Sequence, residues 1–291
     1  MPHKVLKTKD WFHPDGFPVA VERRTPQEPF GLHAHEFAEI VLITSGKGIH
    51  ETGTESYPLA AGDVFVIGGS RPHDYHSMDQ LCLINVLFQP EKLHWNTDDL
   101  THLPGYHALF TLEPVWRKRH QFRSRLRLNP TELGTAMSLI DDLDRELVGR
   151  KPGFRFMAMA SFMGLVGFFS RCYNNSPGAD SVALLRIGRA MSHLEMYYSE
   201  PSISVEELAG IAHMSKRSFM RAFQAATNLS PIAYLIQLRI NRAAQLLRRH
   251  PELTVTEIAL QTGFTDSNYF ARQFRLSRNI TPTEYRRAGK R

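Results

Sequence analysis

Val255-Thr-Glu-Ile-Ala-Leu-Gln-Thr-Gly-Phe-Thr-Asp-Ser-Asn-Tyr-Phe-Ala-Arg-Gln-Phe274 reads as two short helices closed around a tight turn. Ala259 supplies the small residue needed where the helices touch, and Gly263 accepts the positive φ that such a turn favours. Phe270 and Phe274, four apart, form one buried stripe. Asn279 stands where a helix ends in a left-handed residue. The same grammar occurs upstream. Val205-Glu-Glu-Leu-Ala209 matches Val255-Thr-Glu-Ile-Ala259 at an offset of 50 residues, and Phe219, Phe223, Ser230-Pro231 and Tyr234 match Phe270, Phe274, Thr281-Pro282 and Tyr285 at 51. His213-Met214-Ser215 takes the turn in the first copy, where His accepts a positive φ less readily than Gly. Asn228 is the counterpart of Asn279. Two copies are too few for a solenoid. They read as one supersecondary unit, the helix-turn-helix, used twice.

The second helix of each unit leaves a polar face uncovered. It carries Lys216, Arg217, Arg221 and Gln224 in the first unit, and Ser267, Asn268, Arg272 and Arg275 in the second. Arg pairs bidentately with guanine and Asn or Gln with adenine in the major groove, while Ser and Lys suit phosphates. A spacer helix from about Pro231 to Arg249 spans ~27 Å at ~1.5 Å per residue. That length suits two helices entering successive major grooves of one duplex. Charge agrees. From Val182 to the end there are 16 Lys+Arg against 8 Asp+Glu, and before it 19 against 21, so the basic excess belongs to this end alone. The bland alternative is a helical bundle with a solvated basic face.

Residues 183–291 resemble the DNA-binding domain of the AraC/XylS family of bacterial regulators. The resemblance rests on Ile258-Ala259, Gly263-Phe-Thr-Asp-Ser-Asn-Tyr-Phe270, Phe274 and Thr281-Pro-Thr-Glu-Tyr-Arg286; Asn279 stands where the family usually has Gly. It implies binding of promoter DNA, activation through contact with the sigma or alpha subunit of RNA polymerase, and a homodimer. Glu257 and Asp266 either face sigma or cap their helices.

Upstream, Asn174-Asn-Ser-Pro-Gly-Ala-Asp-Ser181 has linker composition, and the expected division is 1–175, a linker at 176–182, and 183–291. Before the linker, Leu133, Met137, Ile140, Leu143 and Leu147 recur at helical spacing behind an expected N-cap at Thr131, and a second helix covers about Phe154 to Tyr173. This stripe is either ordinary core or the pairing surface of two chains. From Asp15 to Phe88, short apolar runs alternate with Gly and Pro: Glu39–Thr44, Val64–Ile67 and Leu81–Ile84, with Pro58–Asp63 as a turn. The expected fold is therefore two domains, an N-terminal β barrel with trailing helices and a C-terminal all-α domain.

His33-Ala-His35, Glu39 and Gly46, followed by Pro72-His73 and His76, place imidazoles and a carboxylate near one another in such a barrel. His33, His35, Glu39 and His73 make a candidate set for a divalent metal. The spacing resembles the cupin barrel, although Gly68 replaces the Pro of its second motif. His35-Glu-Phe-Ala-Glu-Ile-Val41, Gly46-Lys-Gly-Ile-His50 and Leu81-Cys-Leu-Ile-Asn-Val-Leu87 resemble the rhamnose-operon activators within the same family. That similarity implies L-rhamnose or a related deoxyhexose as inducer, with no cofactor required. His33, His35, Glu39, His73 and Asn85 would supply polar contacts, and Tyr75 or Trp116 an aromatic platform. The rival class is a cupin metalloenzyme fused to a DNA-binding domain; the fused helices and the incomplete second motif argue against an enzyme. A methyl-accepting repair protein needs a reactive thiol, and Cys82 and Cys172 lie in apolar runs. Two cysteines and no signal-peptide pattern point to a cytoplasmic setting. The apolar stretch Phe156–Phe169 falls short of the ~20 residues of a membrane span and reads as a core or interface helix.

Overall fold

The computed structural model describes residues 3–53, 55–93, 97–116, 126–175 and 179–288. It divides into two compact units, Met1–Gly188 and Arg189–Arg291. Of the expected linker, residues 176–178 lie outside the described set, while 179–182 are already helical. The division falls later, within that helix, because Gly188 is packed so closely that a Cβ on it would stand 2.5 Å from the Pro104 carbonyl oxygen.

The first unit opens with β1 (Lys4–Leu6) and α1 (Thr8–Trp11), followed by β2 (Val19–Arg24), β3 (His33–His35), β4 (Ala38–Thr52), β5 (Glu55–Ala60), β6 (Asp63–Ile67) and β7 (Asp74–Phe88). After these come α2 (Pro104–Tyr106), a π-helical turn (His107–Leu112), α3 (Glu113–Trp116), β8 (Leu126–Arg127), α4 (Pro130–Gly149) and α5 (Phe154–Asn174). The main sheet runs β2-β7-β4-β6-β8, with β5 added to β4, and β1 pairs with β3 in a small parallel sheet. β4 and β7 are the frame. Residues 39–42 of β4 bond to both β6 and β7, its bulged far end bonds to β5 and β7, and the bulges curve the strand around the core. Val41, Ile43, Phe65, Ile67, Leu81 and Leu83 fill that core. Pro58 lies within β5 rather than in a turn, which an edge strand tolerates.

α4 begins two residues earlier than expected, where Asn129 and Glu132 form a reciprocal capping box. Ile140, Leu143 and Leu147 are buried within the unit, so most of that stripe is core. α5 is the described helix long and apolar enough to cross a membrane by length and composition. It buries Ala158, Phe162, Leu165, Val166 and Phe169 in the unit.

The second unit contains the end of α6 (Ala179–Tyr197), then α7 (Val205–Ile211), α8 (Lys216–Thr227), α9 (Pro231–Arg249), α10 (Val255–Gln261), α11 (Ser267–Arg278) and α12 (Pro282–Ala288). Its helix starts are written twice. Ser204 with Glu207, and Thr254 with Glu257, form matching capping boxes. Ile240, Ala243, Ala244 and Leu247 of α9 close a core with Ile258, Ala259, Phe264, Phe270 and Phe274.

Candidate nucleic-acid interface and effector pocket

Each helix-turn-helix is set by the residues that the repeat singles out. Ala209 and Ala259 are buried at the helix crossings. His213 and Gly263 adopt φ of 50° and 83° in the turns, and Asn228 and Asn279 end α8 and α11 at φ 63° and 61°. Gly263 has a second constraint: a Cβ there would lie 2.7 Å from the Tyr198 carbonyl oxygen. Ser215 caps α8, and the Asp266 carboxylate caps α11 by accepting from the Asn268 and Tyr269 amides. Glu257 and Asp266 thus serve helix starts, the second of the two roles open to them.

With Phe219, Phe223, Phe270 and Phe274 fully buried, the opposite faces are turned out. Lys216, Arg217, Arg221, Gln224, Asn268, Arg272 and Arg275 are exposed, and Ser267, the first residue of α11, is half-buried. Lys216 forms an ion pair with Glu206. Arg272 lies 5.4 Å over the Tyr269 ring. Leu276, 71% exposed, shares the outer face with Arg272 and Arg275. The sequence reading passed over it, although its place four residues after Arg272 is the signal that puts it there. Arg239 is basic but internal: its guanidinium donates to the Tyr198 and Glu200 carbonyl oxygens at 2.7 and 2.6 Å and braces the second unit.

In the first unit, a narrow cleft lies against the inner face of the barrel. Leu6 and Trp11 from the N-terminal segment, Glu22, Arg24 and Gln27 around β2, Phe30, His33 and Phe37, and Glu39, Tyr75, Asn85 and Leu87 line it. Of the expected ligand residues, His33, Glu39, Tyr75 and Asn85 therefore meet here. The side chain of Trp116 lies outside the described residues. The aromatic wall is formed by Trp11 and Phe30, 6.4 Å apart at 75°. Trp11, Glu22, Arg24, Gln27 and Phe30 were not expected. They come from segments whose approach to the barrel is a tertiary event without a local motif.

Behind Glu39 sit His35 and His73. The Glu39 Oε1 lies 3.4 Å from His35 Nε2 and 3.2 Å from His73 Nε2, and all three side chains are buried. His35 Nδ1 pairs with the Phe37 carbonyl oxygen, and His73 Nδ1 with that of Arg71 at 3.1 Å. Gly69 lets the end of β6 approach β3, since a Cβ on it would lie 2.7 Å from the His35 and Phe37 carbonyl oxygens. His33 does not join the expected metal set. Its Nδ1 turns to the Gly31 carbonyl oxygen at 2.9 Å, and its ring lies beside that of His73. His76 is on the surface, paired with Glu51 at 3.4 Å. His50, also missed, is stacked between Phe65 and Tyr75.

Burial, with His73 close by, pushes His33 down to about 4. Burial also works against charge on His35, but the Glu39 carboxylate outweighs it and raises that imidazole. Burial works against charge on Glu39, and His35 and His73 outweigh it, so its carboxyl titrates well below the usual range. Burial raises the Cys172 thiol to about 11, so that side chain is inert as a nucleophile. Cys82 is only half-buried, more open than its apolar run suggested.

Residues 208–288 match a helix-turn-helix domain family, and residues 18–147 match an AraC-like ligand binding domain family. The chain is 32% identical over 287 residues to the HTH-type transcriptional activator RhaR of Mannheimia succiniciproducens, covering 97% of this chain and 96% of the relative. The chain belongs to the AraC family. RhaR of an Enterobacter species is 31% identical over 284 residues, covering 97% and 96%. A solved AraC-type regulator from Chromobacterium violaceum is 32% identical, covers 36% of this chain and 91% of its own, and has a TM-score of 0.34. The chain is accordingly an AraC-family DNA-binding transcriptional activator, not an enzyme. It joins a barrel-type ligand domain to tandem helix-turn-helix units.

Proposed function

We propose that this activator senses a neutral deoxyhexose, L-rhamnose or a close relative, in the barrel cleft, and reads a promoter through α8 and α11. The observation that carries the sensor reading is the composition of the cleft. Trp11, Phe30 and Tyr75 offer apolar faces for a sugar ring, while Gln27, Asn85, His33 and Glu39 offer hydroxyl partners. Glu22 and Arg24 compensate one another at 3.4 Å, which suits an uncharged ligand. The similarity to activators named RhaR supports this reading. On the DNA side, Arg217, Arg221, Gln224, Asn268, Arg272 and Arg275 read bases, Lys216 and Ser267 position the backbone, and Leu276 offers an apolar contact for a thymine methyl. The protein works in the cytoplasm as a homodimer and engages RNA polymerase from its DNA-bound state.

The test is anisotropy titration of the full chain on DNA from its own upstream region, with and without L-rhamnose, at fixed salt. The sugar is expected to strengthen specific binding. Arg272→Ala is expected to weaken it by about 1–3 kcal/mol while sparing random DNA. Equal losses on both DNAs would remove base readout, and no response to any deoxyhexose would remove the sensor.

A further inference from the structure

The two reading helices carry an arginine at matched places, Arg221 and Arg272, 51 residues apart. What lies beneath each one differs. Three residues before Arg272 is Tyr269, and the guanidinium lies 5.4 Å over its ring. Three residues before Arg221 is Ser218, whose hydroxyl accepts from that of Ser215 at 3.0 Å. A serine offers no face to a cation, so the matched place in the first unit has no such platform.

The Tyr269 ring is itself supported. It packs on the buried Phe264 ring at 6.1 Å and 55°, and Phe264 meets Phe270 at 5.1 Å. The Arg239 guanidinium, tied to the Tyr198 and Glu200 carbonyl oxygens, lies 5.8 Å over the Phe264 ring. The Tyr269 amide donates to the Asp266 cap at 3.3 Å. A ladder of Arg239, Phe264, Tyr269 and Arg272 therefore runs from the interior of the second unit to its reading face. The first unit has Met214 and Ser218 where the second has Phe264 and Tyr269.

An exposed arginine samples many rotamers, and a base contact must select one at an entropic cost. A ring beneath the guanidinium lowers that cost, because a cation is attracted to an aromatic face. The attraction leaves the fork of N–H donors free for a base, which a carboxylate partner would not. Among the described residues, no carboxylate pairs with Arg272. We propose that Tyr269 is a positioning residue for Arg272: its ring sets the guanidinium on the outer face of α11 before DNA arrives, so that the fork meets a guanine edge already oriented. This rests on the reading of Arg272 as a base contact.

The experiment is anisotropy titration of the full chain on its upstream-region DNA and on random DNA of equal length, at fixed salt. Tyr269→Leu is expected to weaken upstream binding about two- to fivefold and to leave random DNA unchanged. Tyr269→Phe keeps the ring and is expected to bind as the wild type does. Tyr269→Gln, polar and without a ring, makes the same comparison should the leucine variant fold poorly. In an Arg272→Ala background, Tyr269→Leu is expected to add no further loss. A full loss in that background would show that the ring acts through the fold or on DNA directly, and would overturn the proposal. So would a Tyr269→Phe variant as weak as Tyr269→Leu, which would assign the effect to the hydroxyl. If Arg272→Ala weakens upstream binding and Tyr269→Leu does not, the positioning role alone falls. If Arg272→Ala leaves the preference for upstream DNA intact, the base contact falls and the positioning role with it.

Discussion

A single carbon decides whether the second reading unit closes. Gly263 has φ 83° and sits against the Tyr198 carbonyl oxygen and the Arg239 Nε, 2.7 and 2.9 Å from where a Cβ would stand. Gly263→Ala therefore meets both backbone strain and contact with groups held by their own hydrogen bonds. It is expected to destabilise the second unit by roughly 1–3 kcal/mol, read as a lower urea midpoint. The equivalent turn in the first unit uses His213 at φ 50° with its side chain exposed, so that copy carries the strain already. In the barrel unit, His107 is buried, with its Nε2 2.8 Å from the Thr101 carbonyl oxygen. Burial, with the neighbouring His102, lowers it from 6.5 to about 4. The unfolded chain therefore takes up this proton between pH 6.5 and 4 while the folded chain refuses it. Stability is full above that window and falls as pH drops through it, by up to about 1.4 kcal/mol per pH unit from this group. His107→Gln, which keeps a donor for Thr101, is expected to flatten the acid limb of a stability–pH curve from urea melts. An unchanged slope would show that the ring does not titrate there.

At the scale of elements, the tandem units were the most legible part of the chain because their signals are local. A small residue, a left-handed turn, an aromatic stripe and an Asn C-terminus all lie within one contiguous segment, and each is where the repeat places it. The barrel strands were legible by alternation, but not the length of β4 and β7, because bulges between Ile43 and Ile49 hide their continuity. The cleft was half legible. His33, Glu39, Tyr75 and Asn85 lie on strands, whereas Trp11 reaches it from the end of α1 and Phe30 from the connection before β3. The pairing surface was sought on the stripe of α4 or on the apolar run of α5, and the α4 stripe is mostly buried. The open apolar face is on α5: Phe156 is 78% exposed, and Ala160, Met163 and Gly164 follow it at helical spacing. Space is open at Gly164 and Gly167. Across a twofold axis near Ser161, an antiparallel copy of α5 would set the Phe156 ring of each chain over the Gly164 region of the other, large against small in both directions. Phe156→Glu is expected to convert a dimer to a monomer in sedimentation experiments while leaving the circular dichroism spectrum unchanged. A dimer that survives the substitution places the interface elsewhere.

At the scale of the whole molecule, charge and pairing combine into a measurable exponent. The chain from Val182 onward holds twice as many basic as acidic residues, 16 against 8, whereas the rest is slightly acidic. Phosphate contact is thus expected in the reading units, while the unit that matches a ligand binding domain would carry pairing in the proposed dimer. Each neutralised phosphate releases counterions, so the logarithm of affinity falls with the logarithm of salt at about −0.9 per contact. One reading unit offers Lys216, Arg217 and Arg221, and the other Arg272 and Arg275. Those proposed to read bases would still displace counterions through their charge. A dimer on two half-sites doubles the set. The full chain is therefore expected to show about twice the salt slope of the Phe156→Glu monomer on the same two-half-site DNA. On a single half-site, the two proteins should converge to the same slope. If the slopes already agree on the longer DNA while sedimentation shows the wild-type chain to be paired, only one protomer touches the duplex. Pairing would then serve the barrel, not the reading of two half-sites.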